Sequence, residues 1–155
     1  MTVLKRILVA EDDPRDLELV LTAFEGSRLI SQIETVRDGQ EVLDYLHRRE
    51  QFRTRPPGNP VVVLLDLKMP KLSGVQVLRQ MKKDDQLKMI PVVMLTSSRE
   101  QPDLKESYEL GANAYVVKPV DFHQFVTTVK ELGIFWAVIN EPPPDALGKS
   151  DLGTV

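Results

Sequence analysis

Five short apolar runs, each followed by a stretch with apolar residues at helical spacing, constrain this chain more than any other feature. A strand that is apolar without alternation has both faces buried, the condition of a parallel sheet covered by helices on both sides. The strongest run is 61–65, Val-Val-Val-Leu-Leu, and it stops abruptly at Asp66. Residues 7–10 form the first run, followed from Pro14 by a helical pattern with Leu17, Val20, Leu21 and Phe24 on one face; proline suits a first helical turn. Residues 32–36 alternate as a weaker strand, and after Asp38-Gly39 a helix with Val42, Leu43 and Leu46 runs to about Arg49. The run 61–65 is followed by a loop, 67–73, and a helix with Val75, Val77, Leu78 and Met81. Residues 91–95 lead into Thr96-Ser97-Ser98 and a helix after Pro102, up to Gly111. Residues 114–117 end at Lys118-Pro119, and Asp121 caps a last helix through about Leu132. The fold class is α/β, doubly wound, with five parallel strands each followed by a helix.

At 155 residues the chain has room for one such core. Residues 1–132 form the domain; residues 133–144 form a C-terminal arm, where Gly133 argues against a smooth continuation of the helix; residues 145–155 form a polar, disordered tail. The arm carries Ile134, Phe135, Trp136, Val138 and Ile139 ahead of three prolines, and pairing of identical arms in a homodimer removes its apolar surface from water. The segment 50–60, with Pro56, Pro57, Gly58 and Pro60, is predicted to be a surface loop.

Composition removes several function classes. A formal charge of -3 leaves no electrostatic footprint for nucleic acid. The absence of cysteine excludes disulfides, thiolate metal sites and thiol catalysis. No apolar run reaches the ~20 residues that span a bilayer, and the first ten residues do not resemble a secretion signal, so a cytoplasmic location is expected.

In an open parallel sheet, ligands bind beyond the carboxyl ends of the strands, where the strand order reverses. The residues at those ends are Glu11, Asp12 and Asp13, then Asp66, Thr96 and Lys118. Several carboxylates in one pocket repel one another unless a cation neutralises them. Oxygen-only ligands favour Mg2+ (or Mn2+) over zinc, and such an ion keeps waters that a phosphate can replace. A carboxylate can be the nucleophile of phosphoryl transfer, with an ammonium and a hydroxyl around the transferred oxygens.

Glu11-Asp12, Asp66-Leu67-Lys68-Met69-Pro70, Thr96-Ser97 and Lys118-Pro119 together resemble the signature of the two-component response regulator receiver domain, over roughly residues 5–132. The resemblance implies a flavodoxin-like (βα)5 fold with strand order 2-1-3-4-5, and Asp66 as acceptor of a phosphoryl group from a sensor histidine kinase. It implies that Asp12 binds the metal directly, Glu11 through water and Lys68 by its backbone carbonyl, with Asp13 a bystander. Thr96 and Lys118 resemble the phosphoryl-sensing pair, Tyr115 the aromatic switch residue, and the Lys118–Pro119 bond is expected to be cis. The long 50–60 loop, the Phe135-Trp136 and Pro142-Pro143 terminus and the lack of an effector segment resemble the single-domain regulators of phytochrome-type histidine kinases. Three other readings stay open: an unphosphorylated receiver acting as a protein-binding module, an aspartyl-phosphate phosphatase, and a flavin binder. A phosphatase would have a second acid two residues after Asp66, where Lys68 stands, so no turnover enzyme is expected. A flavin binder would carry hydroxyls and glycines after the first strand, where this chain has acids.

Overall fold

A computed structural model describes residues 5–144; the tail predicted for 145–155 lies outside the described residues. The elements alternate as the apolar runs require: β1 (Ile7–Ala10), α1 (Pro14–Phe24), β2 (Ile33–Val36), α2 (Gly39–His47), β3 (Val62–Leu65), α3 (Gly74–Lys83), β4 (Val92–Thr96), α4 (Gln101–Glu109), β5 (Ala114–Val117) and α5 (Phe122–Ile134). All four strand pairings are parallel, and the order is β2-β1-β3-β4-β5.

Alternate residues of each strand feed two separate cores, which is why the strands read as uniformly apolar. Leu8, Ala10, Val63, Leu65, Val92 and Met94 face α2 and α3, packing with Leu46, Leu78 and Met81. Ile7, Val9, Val62, Leu64, Val93 and Leu95 face the other way, with Val20 and Phe24 of α1 and Phe125 and Val129 of α5. Four of the five helices start at side-chain caps, Asp13 for α1, Asp38 for α2, Ser73 with Gln76 for α3, and Asp121 for α5, the last as read from the sequence; α4 starts at Glu100 without one.

The 50–60 loop includes a short 3-10 turn, Glu50–Phe52, and is tied to the amino edge of the sheet, opposite Asp66. The buried Arg6 guanidinium donates to the carbonyls of Pro56, Pro57 and Gly58 at 3.3, 2.9 and 3.1 Å. Arg55 donates to the Tyr45 carbonyl at 2.7 Å and lies 4.2 Å over the Tyr45 ring. The loop therefore closes the α2 end of the domain and stays away from the acidic edge.

Gly133 does not break the last helix. α5 passes through it to Ile134 and continues as a π-helical turn, Phe135–Ile139, so residues 133–139 extend a helix instead of forming a detached arm. A Cβ on Gly133 would stand 2.3 Å from the Phe24 ring. The glycine permits close packing of α5 on α1. Downstream, Ala137 is buried and Trp136 packs against the second core, while Ile134, Phe135, Val138 and Ile139 remain exposed.

A helical Gly→Ala change ordinarily gains up to about 1 kcal/mol, but the new methyl at Gly133 would meet a fully buried ring, and overpacking costs about 1–3 kcal/mol. Gly133→Ala is therefore expected to lower stability by about 1–2 kcal/mol in urea unfolding, with part of the loss recovered when Phe24 is also changed to Leu. A gain in stability would show that the close contact is relieved without cost.

Candidate functional site

Topology creates the site. From β1 the chain passes to β2 on one side, and β3 lies on the other, so the segments leaving β1 and β3 meet at the carboxyl edge. The register pairs Ala10 with Leu65; Glu11 N–H then donates to the Val36 carbonyl at 3.0 Å and Asp66 N–H to the Ala10 carbonyl at 3.3 Å. These backbone bonds place the Glu11 and Asp66 side chains side by side. One carboxylate oxygen each from Glu11, Asp12 and Asp66 lies within 4.8 Å of the other two; Glu11 and Asp66 are buried and Asp12 is exposed. Three hard oxygen donors, one open to solvent, fit a divalent ion that retains water. Lys68 adjoins them, its backbone N–H donating to Asp66 Oδ1 at 3.4 Å.

Lys118 arrives from β5, its N–H donating to the Thr96 carbonyl at 2.7 Å. Its ammonium contacts three carboxylates: Glu11, Asp66 Oδ2 at 3.0 Å and Asp16 Oδ2 at 2.8 Å. The Lys118–Pro119 bond is trans, not cis as expected; the amine reaches all three acids from the ordinary isomer, so nothing outweighs the usual trans preference of about 0.5–1 kcal/mol.

Electrostatics follow from burial and pairing. Burial pushes the Glu11 carboxyl up to about 7; the bond from Lys118 opposes this and the Asp66 charge adds to it. For Lys118, burial alone would lower the ammonium, but the Asp16 and Glu11 carboxylates overcome it and raise the group above its usual range. Asp13 is the α1 cap, its carboxyl held below the usual range by the N–H groups of Arg15 and Asp16. Its side chain stands outside the Glu11, Asp12 and Asp66 group, but its backbone N–H donates to Glu11 Oε2 at 3.2 Å and so helps to hold that carboxylate.

Thr96 is almost fully buried at the end of β4, and its hydroxyl accepts from Ser98 N–H at 3.3 Å. The half-buried Tyr115 donates its hydroxyl to the Ser98 carbonyl at 3.0 Å, while Ser98 Oγ donates to Asp103 of α4 at 2.6 Å. Ser98 thus joins both expected switch residues to α4. Sequence reasoning missed Ser98 and Asp16. Asp16 carried one available signal, since it lies in the first turn of α1, three residues after Asp13 of the acidic triplet.

Residues 7–130 match the response regulator receiver domain. The bacteriophytochrome response regulator RtBRR is 60% identical, with a TM-score of 0.71 over 92% of this chain and 86% of that one. The phosphorylated cyanobacterial phytochrome response regulator RcpA is 35% identical, with a TM-score of 0.83 over 90% and 98%. Response regulator Rcp1 of Synechocystis is 34% identical over 132 residues, 85% of this chain and 88% of that one. Its solved Mn2+-bound form aligns with a TM-score of 0.82, at 33% identity over 90% and 99% of the two chains. Matching along most of its length, and with carboxylates, lysine and threonine at the sheet edge where the resemblance requires them, the chain belongs to the response regulator receiver domain family.

Proposed function

We propose that this protein is a phosphorylation-driven switch whose Asp66 accepts a phosphoryl group from the phosphohistidine of a sensor histidine kinase, most closely a bacteriophytochrome. The observation that carries the reading is the buried Asp66 carboxylate beside Lys118, with the Glu11 and Asp12 oxygens within 4.8 Å. An Asp66 oxygen forms the new bond to phosphorus as the phosphorus–nitrogen bond breaks in a donor whose other ring nitrogen carries a proton, so that a neutral imidazole leaves. Glu11, Asp12, Asp66 and the Lys68 carbonyl would hold magnesium, or manganese, which supplies positive charge to the transferred oxygens when bound. Lys118 contributes a second cation from the β5 side. The Thr96 hydroxyl turns from Ser98 toward the phosphoryl group, and the loss of that contact lets Tyr115 leave the Ser98 carbonyl, remodelling the face of α4, β5 and α5.

Support for the phytochrome association comes from the relatives, RtBRR being a bacteriophytochrome response regulator and RcpA a phosphorylated phytochrome response regulator. The exposed Ile134, Phe135, Val138 and Ile139, with the partly buried Trp136 between them, are assigned to a homodimer contact. No helix among the described residues is long and apolar enough to cross a membrane, and we assign the protein to the cytoplasm. It acts as a phosphoacceptor and not as a turnover enzyme, since Lys68 occupies the position a phosphatase gives to its acid.

Incubation with acetyl phosphate and magnesium, followed by intact-mass spectrometry and light scattering, tests the reading. One phosphoryl adduct per chain is expected, mapping to the peptide that contains Asp66 and absent when magnesium is chelated. No adduct in the presence of magnesium would overturn the assignment.

A further inference from the structure

We propose that Asp16 is a positioning residue for Lys118: it holds the ammonium before phosphorylation and is the partner given up when the phosphoryl group arrives. The inference rests on the reading of Asp66 as phosphoacceptor. A lysine ammonium has three N–H donors, and here three carboxylates surround it: Glu11, Asp16 at 2.8 Å and Asp66 at 3.0 Å. A phosphoryl oxygen on Asp66 can therefore gain a bond from Lys118 only by displacing one of them.

The three partners differ in what their release costs. The Glu11 side chain is 3% exposed, so bulk water would solvate it poorly once the ammonium let go. Asp66 carries the phosphoryl group and stays beside the ammonium by covalent connection. Asp16 is 27% exposed, in the first turn of α1, where water and the helix N-terminus both accept its charge after release. It is the cheapest to free. Its N–H is held by the Asp13 cap at 3.3 Å, which fixes that turn of the helix and aims the carboxylate at Lys118.

The probe is beryllofluoride, a mimic of the phosphoryl group, titrated against the full chain in excess magnesium and followed by fluorine NMR. Asp16→Asn keeps the shape of the side chain and loses the charge that competes for Lys118. Apparent affinity is expected to tighten about fivefold to tenfold, a charge-assisted bond at a partly exposed site being exchanged for a neutral one. Asp16→Glu restores the competing charge and should return affinity to within about threefold of the parent, while Glu18→Gln removes an exposed charge from the same helix and should shift it by less than about twofold. A residue with a merely structural role would weaken binding or leave it unchanged.

Asp16→Asn binding no tighter than the parent, or Glu18→Gln tightening it equally, overturns the inference. The acetyl phosphate assay on the same two proteins separates the failures. An adduct in both with unchanged beryllofluoride affinity sinks the role of Asp16 alone; no adduct in the parent sinks the assignment of Asp66 and this inference with it.

Discussion

Asp66→Asn is expected to fold as the parent does and to take up no phosphoryl group from acetyl phosphate. The amide is a poor nucleophile, and no other carboxylate in the cluster can take over. Glu11 is buried against Lys118 with its carboxyl near neutrality, and Asp12 is exposed to water. Asparagine has the same shape and keeps an oxygen for the Lys68 N–H, so the turn after β3 survives. Lys118 retains Glu11 and Asp16. The change also removes a negative charge that raises Glu11, so stability should be equal to the parent or up to about 1 kcal/mol greater. Intact-mass spectrometry reads the first outcome and thermal unfolding the second. Full labelling of the variant would show that the phosphoryl group goes elsewhere, and a large fall in stability would show that Asp66 is a structural ion-pair partner first.

Lys118→Ala is expected to cost stability in a way that depends on pH. It leaves buried Glu11 and Asp66 without the cation that touches both, and removing one partner of a buried pair typically costs about 3–5 kcal/mol. Protonation offers Glu11 an escape. Its folded value of about 7 already exceeds the ordinary carboxyl value of 4.5, so its contribution to stability is full at low pH and is lost as pH rises toward 7. Without Lys118 the folded value climbs further and the loss extends to higher pH. The variant should therefore be less stable than the parent by about 3 kcal/mol at pH 8.5, a fall of roughly 10 °C in the unfolding midpoint, and by only about 1 kcal/mol at pH 6. Magnesium should recover part of the loss at pH 8.5, because Glu11, Asp12 and Asp66 present oxygens within 4.8 Å of one another. Differential scanning calorimetry at the two pH values, with magnesium or with chelator, decides it; an equal loss at both would mean that Glu11 stays ionised throughout.

Neither variant touches the packing that builds the sheet. That packing was the most legible part of the sequence, because burial on both faces forces a strand to be apolar throughout, and β1, β3 and β4 are fully buried. The weak strand read at 32–36 is half exposed at the sheet edge, and its first residue belongs instead to a 3-10 turn, Arg28–Gln32. Edge strands bury one face only, so their apolar signal is diluted.

Position along the chain also fixed Glu11, Asp12, Asp66, Thr96 and Lys118 as strand-end residues, since a strand must stop where its apolar run stops. What Lys118 pairs with was a matter for the folded chain. Asp16 lies 102 residues away, on a helix whose polar face reads the same whether it meets water or a lysine. The trans Lys118–Pro119 bond and the Ser98 junction with Tyr115 and Asp103 are likewise set by where the β4 and β5 ends come to rest. Gly133 shows the same division: local propensity makes it a helix breaker, whereas in the fold it admits the Phe24 ring. Periodicity records which face of an element is buried, so the strands and their ends were determined by the sequence alone. The groups that meet across that burial come from distant segments, and only the tertiary structure decided them.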